Sequence, residues 1–283
     1  KMGPCLGMIL LSRDWIMKTG VMKMNKENKQ KLKVGFYGVS GCAGCLLTVL
    51  YEDCFKEIVD LVDIKAFPFI KSESYKGKFD VVFVEGTVCF DEDIEVLRKL
   101  RKKADVLVAL GSCATTGGVP PIKNFLDPEK TLKLVYPVHN ELKEEPPTPL
   151  DKHVKVDYYL PQCPPSKTEI VEFVAAISSG LKWSGYESSV CLECRQKGNH
   201  CLLEDNKICL GPVATGGCGA LCPTNNVTCY GCRGPFKDAN IMAFIDMIKK
   251  MGYTEDRVHD KMKTFAGLQF KEEFGKGESW LEK

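Results

Sequence analysis

A parallel, doubly wound α/β sheet followed by a small irregular segment built on metal is the fold class this sequence predicts. Three observations carry it. Strand-like apolar runs alternate with helical patterns from residue 31 to residue 182. Beyond Trp183 the alternation stops, and residues 190–234 are dense in Cys, Gly and Pro. Of the 15 cysteines, all but Cys5, Cys54 and Cys89 fall into one arrangement along these two parts.

The elements follow in order. Lys33–Tyr37 reads as a buried strand, Gly38–Gly41 as a loop, and Leu46–Val59 as a helix. Val62–Phe67 and Asp80–Val84 are the next strands. Asp91–Lys103 is a helix with an acidic start and a basic end, the polarity its macrodipole favours. Asp105–Leu110 is a fourth strand, running into Gly111-Ser112-Cys113. After the Pro-rich Glu144–Leu150 comes a strand over Val154–Leu160, and then Cys163-Pro164-Pro165. Ser166 and Glu169 form a capping box for a helix over Thr168–Lys182. Ala239–Met251 reads as an amphipathic closing helix.

Composition narrows the function classes. A net charge of +2 argues against nucleic acid and anionic membrane surfaces as partners. The apolar runs are strand-sized, so no membrane span is expected. Residues 1–30 show no apolar export segment and no twin arginine, and are taken as an N-terminal extension. In a reducing cytoplasm, Cys-x-x-Cys groups point to metal or redox chemistry rather than to a disulfide framework.

Topology then groups the dispersed cysteines. Cys42 and Cys45 follow the first strand, Cys113 the fourth, and Cys163 the last. In a parallel sheet all of these ends lie on the carboxyl edge, where open α/β folds gather ligands. Glu85 closes the third strand on the same edge. The other eight form a ladder: Cys191, Cys194, Cys201, Cys209, Cys218, Cys222, Cys229 and Cys232. Four plus eight thiolates suit three four-iron clusters. Glycines stand beside several of these cysteines, namely Gly41, Gly44, Gly111, Gly217 and Gly231. They let backbone amides approach cluster sulfurs. With few apolar residues of its own, the ladder is expected to fold around its metal rather than a core.

Plainer readings compete. The first four cysteines also suit a redox pair with two buried thiols, and the eight suit two structural zinc sites. Cys54 fits a core position and Cys89 fits neither group. Of His139, His153, His200 and His259, only His200 adjoins a ladder cysteine.

The combination Gly41-Cys42-Ala43-Gly44-Cys45, Val84-Glu85-Gly86, Gly111-Ser112-Cys113 and Cys163-Pro164-Pro165, with the ladder behind it, resembles the small subunit of nickel–iron hydrogenases. The likeness spans about residues 31–270 and is nearest to delta and gamma subunits of multi-subunit cytoplasmic enzymes of the sulfhydrogenase, NADP-linked or F420-linked type. It implies a flavodoxin-like domain over residues 31–185, with a proximal 4Fe-4S cluster on Cys42, Cys45, Cys113 and Cys163 beside Glu85. It implies a two-cluster domain with a closing helix over residues 186–283. There the distal cluster takes Cys191, Cys194, Cys201 and Cys209, and the medial one Cys218, Cys222, Cys229 and Cys232. Where periplasmic members have a histidine as first distal ligand this chain has Cys191, and where they have a medial proline it has Cys222. The implied partners are a large subunit holding the nickel–iron centre and further iron–sulfur or flavin acceptor subunits. This chain relays electrons between them, with a link to heterodisulfide reductase as the alternative. The cluster subunit of complex I shares the fold, but its signature of adjacent cysteines is missing here.

Overall fold

The computed structural model describes residues 31–71, 75–135 and 145–274. The N-terminal extension with Cys5, and also His139, lie outside the described residues.

Five strands make one all-parallel sheet: β1 (Lys33–Gly38), β2 (Asp63–Ala66), β3 (Phe79–Glu85), β4 (Ala104–Leu110) and β5 (Tyr158–Leu160). Their order is β2-β1-β3-β4-β5, the flavodoxin-type order of a doubly wound fold. Successive side chains of β3 serve opposite faces. Val81 and Phe83 join Phe36, Ile58, Val108 and Phe173 on one side, whereas Val82 and Val84 join Leu97, Leu107 and Leu150 on the other. The rings of Phe36 and Phe83 stack at 4.8 Å, and each buried phenylalanine contributes about 1.5–3 kcal/mol by burial. Packing on both faces fixes the strands in register, and so fixes what hangs from their carboxyl ends.

The helices show where local pattern gave way. Two helices, α1 (Gly44–Val49) and α2 (Glu52–Leu61), replace the single one expected over Leu46–Val59. The amides of Leu50 and Tyr51 turn to carbonyls three residues back, which tightens and ends α1. Tyr51 is extended and restarts the chain as α2. Helix α3 (Asp91–Lys103) has the expected bounds, and the short α4 (Gly111–Thr116) follows β4 directly. Another helix, α5 (Pro128–Val135), lies between α4 and β5. β5 is three residues long rather than the seven expected, because Val154 and Val156 pack against the core instead of pairing. Helix α6 (Lys167–Ser178) is capped by Ser166, whose hydroxyl accepts the Glu169 amide at 3.4 Å. The return half of the expected capping box does not form, since the Glu169 carboxylate is committed to Arg233.

Among residues 190–234 the helices are α7 (Val190–Gln196) and α8 (Leu221–Thr224). Two longer helices close the described chain, α9 (Ile241–Lys250) and α10 (Glu255–Phe274). The second was not expected, although Val258, Met262, Ala266 and Phe270 recur every four residues and are all fully buried. They overturn the expectation of a ladder without a core. Val190, Leu210, Val213 and Ala220 of the ladder pack with Ile241, Phe244, Ile248 and those four residues in one apolar cluster.

Candidate metal centres

The carboxyl edge of the sheet brings the first four thiols together. After β1 the loop is fastened to its neighbours: Val39 N–H donates to Glu85 O at 2.9 Å, and Thr87 N–H to Ser40 O at 2.8 Å. The Ser40 hydroxyl donates to Asp93 at 2.7 Å. Cys113 sits on the first turn of α4, and Ser112 N–H donates to Gln162 O at 3.0 Å, which ties that turn to the loop holding Cys163. Gln162 itself has φ 104°, a strained position of the kind found at sites rather than in scaffolding.

Cys45, Cys113 and Cys163 each sense charge from others of the set. Burial, then Glu85 and the Cys113 and Cys163 thiols, push the Cys45 thiol far up. Burial, then Cys163, Cys42 and Glu85, push Cys113 up to about 11. Cys163 rises through burial and Cys42. The approach is close enough that Gly111, at φ 86°, has no room for a side chain, which would strike Cys45 Sγ. Glu85 is 3% exposed. Burial raises its carboxyl, while the nearby Cys45 thiol and the Cys45 and Ala43 amides oppose the rise.

The ladder gathers into two further groups. Cys191, Cys194, Cys201 and Cys209 line a cavity of about 510 Å³. Cys218, Cys222, Cys229 and Cys232 line another of about 340 Å³, which Cys163 also borders. Burial and then its own group, Cys209, Cys194 and Cys201, push Cys191 up to about 12. Burial, then Cys218, Cys222 and Cys163, push Cys232 up to about 11, with the nearby Cys163 amide opposing the rise. Amides do point at the sulfurs: Gly44 N–H to Cys42 Sγ at 3.4 Å, Gly231 N–H to Cys229 Sγ at 3.4 Å, and Cys229 N–H to Cys209 Sγ at 3.2 Å.

This donor chemistry fits a cationic polynuclear group. Buried thiols such as Cys45, Cys209 and Cys229 give up their protons only to compensating positive charge. Thiolates sharing one zinc ion at about 2.3 Å stand within about 4 Å of each other. Among the described residues no three His, Cys, Asp or Glu side chains meet as a single-ion site, and the ladder thiols stand around cavities instead.

The remaining candidates lie apart. Cys54 belongs to the sheet core, with its thiol 3.9 Å from Lys167 O. The Cys89 amide donates to Asp93 at 3.0 Å. His200 borders the larger cavity but is paired with Asp205 at 2.6 Å. Two residues outside the sequence expectations also shape the site. Glu193 accepts the Gly217 and Ala220 amides at 2.6 and 3.1 Å and so shapes the turn bearing Cys218. Arg233 is the other. Both stand next to ladder cysteines in sequence, Glu193 inside Cys191-Leu192-Glu193-Cys194 and Arg233 directly after Cys232, and that adjacency was the available signal.

Thiols gathered in fours at the edge of a flavodoxin-like sheet and in a helical cradle beside it define an iron–sulfur protein of electron transfer. The chain belongs to the family of nickel–iron hydrogenase small subunits: it is 34% identical over 238 residues, 83% of its length and 99% of the relative's, to the sulfhydrogenase 2 delta subunit of Pyrococcus furiosus. It is a hydrogenase subunit, part of an oxidoreductase acting on H2. It is also 31% identical, over 72% of its length and 82% of the relative's, to a subunit of the F420-non-reducing hydrogenase vhu of Methanocaldococcus jannaschii. The family model of the NADH ubiquinone oxidoreductase 20 kDa subunit matches residues 42–177, which hold β2 to β5 and the first thiol set but neither β1 nor the ladder. The fold is similar to a chain of the NiFeSe hydrogenase of Desulfomicrobium baculatum, with a TM-score of 0.51 at 17% identity over 74% of this chain and 97% of that one. No helix among the described residues is long and apolar enough to cross a membrane.

Proposed function

We propose that this chain conducts electrons between a nickel–iron site in a separate large subunit and an iron–sulfur or flavin acceptor subunit of a cytoplasmic complex of sulfhydrogenase type. It would hold three 4Fe-4S clusters: proximal on Cys42, Cys45, Cys113 and Cys163; medial on Cys218, Cys222, Cys229 and Cys232; distal on Cys191, Cys194, Cys201 and Cys209. Each cluster supplies one-electron storage at a potential set by charge and hydrogen bonds. Functionally, residues 31–185 form the donor-side domain and residues 186–283 the relay domain.

One observation carries this reading. The three thiol groups adjoin one another in the order of a relay, not in the order of the sequence. Cys163 borders the cavity that Cys218, Cys222, Cys229 and Cys232 line, which sets the proximal group against the medial one. The Cys229 amide bonds to Cys209 Sγ at 3.2 Å, joining the medial group to the distal one. The chain's own residues bury Cys45, Cys209 and Cys229, aim amides at the sulfurs and place the buried Glu85 against the proximal group.

Cys222 is the medial thiol that decides cluster type. It lies on α8, borders the medial cavity with the other three and is followed by Pro223. The anaerobic complex is expected to contain about twelve irons and as many acid-labile sulfides in this chain. Stoichiometric zinc with little sulfide would sink the proposal. Cys222→Pro should convert the medial cluster to a three-iron centre, visible by electron paramagnetic resonance when oxidised, and raise its potential. Identification of the chains that copurify separates the sulfhydrogenase type from the alternative linked to heterodisulfide reductase.

A further inference from the structure

A buried ion pair joins the sheet to the ladder. Arg233 follows Cys232 directly, and its guanidinium grips both oxygens of Glu169, Nη1 to Oε2 at 2.6 Å and Nη2 to Oε1 at 2.9 Å. The two side chains are 2% and 1% exposed. Nη1 also donates to Pro161 O at 3.3 Å and Gln162 Oε1 at 3.4 Å, on the loop leading to Cys163. Glu169 lies in the first turn of α6, where free amides favour an anion.

The pair is not symmetric towards the thiols. Arg233 borders the cavity lined by Cys218, Cys222, Cys229 and Cys232, and Glu169 does not. The positive end of the pair therefore faces the medial group, with the negative end behind it. The buried Arg233 Nε–H meets no acceptor among the described residues. Left so, it bears the full desolvation penalty of a buried, unpaired donor. Apolar side chains of like volume would hold the two parts together as well as a buried ion pair does. The charge and the spare donor thus call for a use other than adhesion.

Resting on the cluster assignment above, we propose that Arg233 is a positioning residue that raises the reduction potential of the medial cluster, its Nε–H donating to that cluster and Glu169 moderating the effect. Reduction adds one electron to the cluster, so a fixed positive charge and a hydrogen bond beside it both favour the reduced form. Guanidinium keeps its charge throughout the working pH range, so the effect does not depend on protonation.

The test is a redox titration of the intact, anaerobically prepared complex, with each cluster followed by electron paramagnetic resonance. R233Q should lower the medial midpoint, and E169Q, which leaves the cation unmoderated, should raise it. The distal midpoint should stay in place. R233K, which keeps the charge but loses donors, should fall between wild type and R233Q. If R233Q does not assemble, the apolar double variant R233M/E169L reads the same quantity and should also lower the medial midpoint. An unmoved medial midpoint in loaded variants, shifts of one sign for R233Q and E169Q, or an equal shift of all three clusters overturns the inference. A wild-type complex without iron at the medial thiols overturns instead the assignment on which it rests.

Discussion

The two cysteine-bearing regions reach similar chemistry by opposite routes. At the sheet edge, four thiols separated by up to 121 positions (163 − 42) meet because parallel strands in register deliver them. Phenylalanines on the sheet faces hold that arrangement. In the ladder the thiols are near neighbours in sequence, yet between residues 190 and 234 no helix exceeds the seven residues of α7. Its backbone bonds are mostly loop bonds, and its apolar support comes from α9 and α10 downstream. A site built on strands is preorganised by burial, whereas a site built on loops needs either its metal or a borrowed core. This ladder has the borrowed core on one side and thiols on the other.

The largest effect should come from cutting the strand-built site. Cys113→Ala is expected to remove about four of about twelve irons and to abolish H2-dependent reduction of the acceptor subunit, while the ladder keeps its clusters. Iron analysis and spectroscopy of the variant complex check this, and undiminished turnover would refute the convergence of the four thiols on one relay. Next, anaerobic removal of iron by a chelator should separate the regions. Sheet amides of β1, β3 and β4 keep their hydrogen-exchange protection, and amides of residues 199–208 and 216–232 lose theirs. Equal loss in both would mean that the sheet edge also depends on metal.

Gly111→Ala sharpens the comparison at smaller scale. With φ 86° and Cys45 Sγ in the way, a methyl group here should cost about 1–3 kcal/mol and displace that thiol. Iron should then be lost from the proximal group before the ladder, as followed during a denaturant titration. The smallest effect concerns pH. Asp157 anchors β5 to β4: partial burial works against its ionised form, but the Leu107 amide at 2.9 Å and the Arg101 guanidinium outweigh this and hold it below the usual carboxylate range. A carboxyl depressed in the folded state stabilises above its unfolded value of about 3.9 and loses that contribution as pH falls through the folded value. Asp157→Asn should flatten the acid limb of unfolding stability below about pH 4, by about 1 kcal/mol at neutral pH. An unchanged acid limb would remove Asp157 from the account.

What the sequence determined by itself was whatever depends on near neighbours or on strand polarity. The apolar runs of β1, β3 and β4, the dipole-matched ends of α3 and the cysteine spacings were all legible there. So was the meeting of Cys42, Cys45, Cys113 and Cys163, because in any parallel sheet the strand ends share an edge. Local rules failed where distant groups competed for the same atoms. Glu169 is a capping residue by pattern, yet its carboxylate goes to Arg233, 64 positions away, where a buried cation holds both of its oxygens. The tertiary structure shows how the groups adjoin: Cys163 borders the cavity of Cys218, Cys222, Cys229 and Cys232, and the contact between Cys229 and Cys209 arises from packing on α9 and α10. Spacing along a chain encodes which side chains can reach one another; the order of three sites in space is settled by the apolar surfaces that must be buried between them.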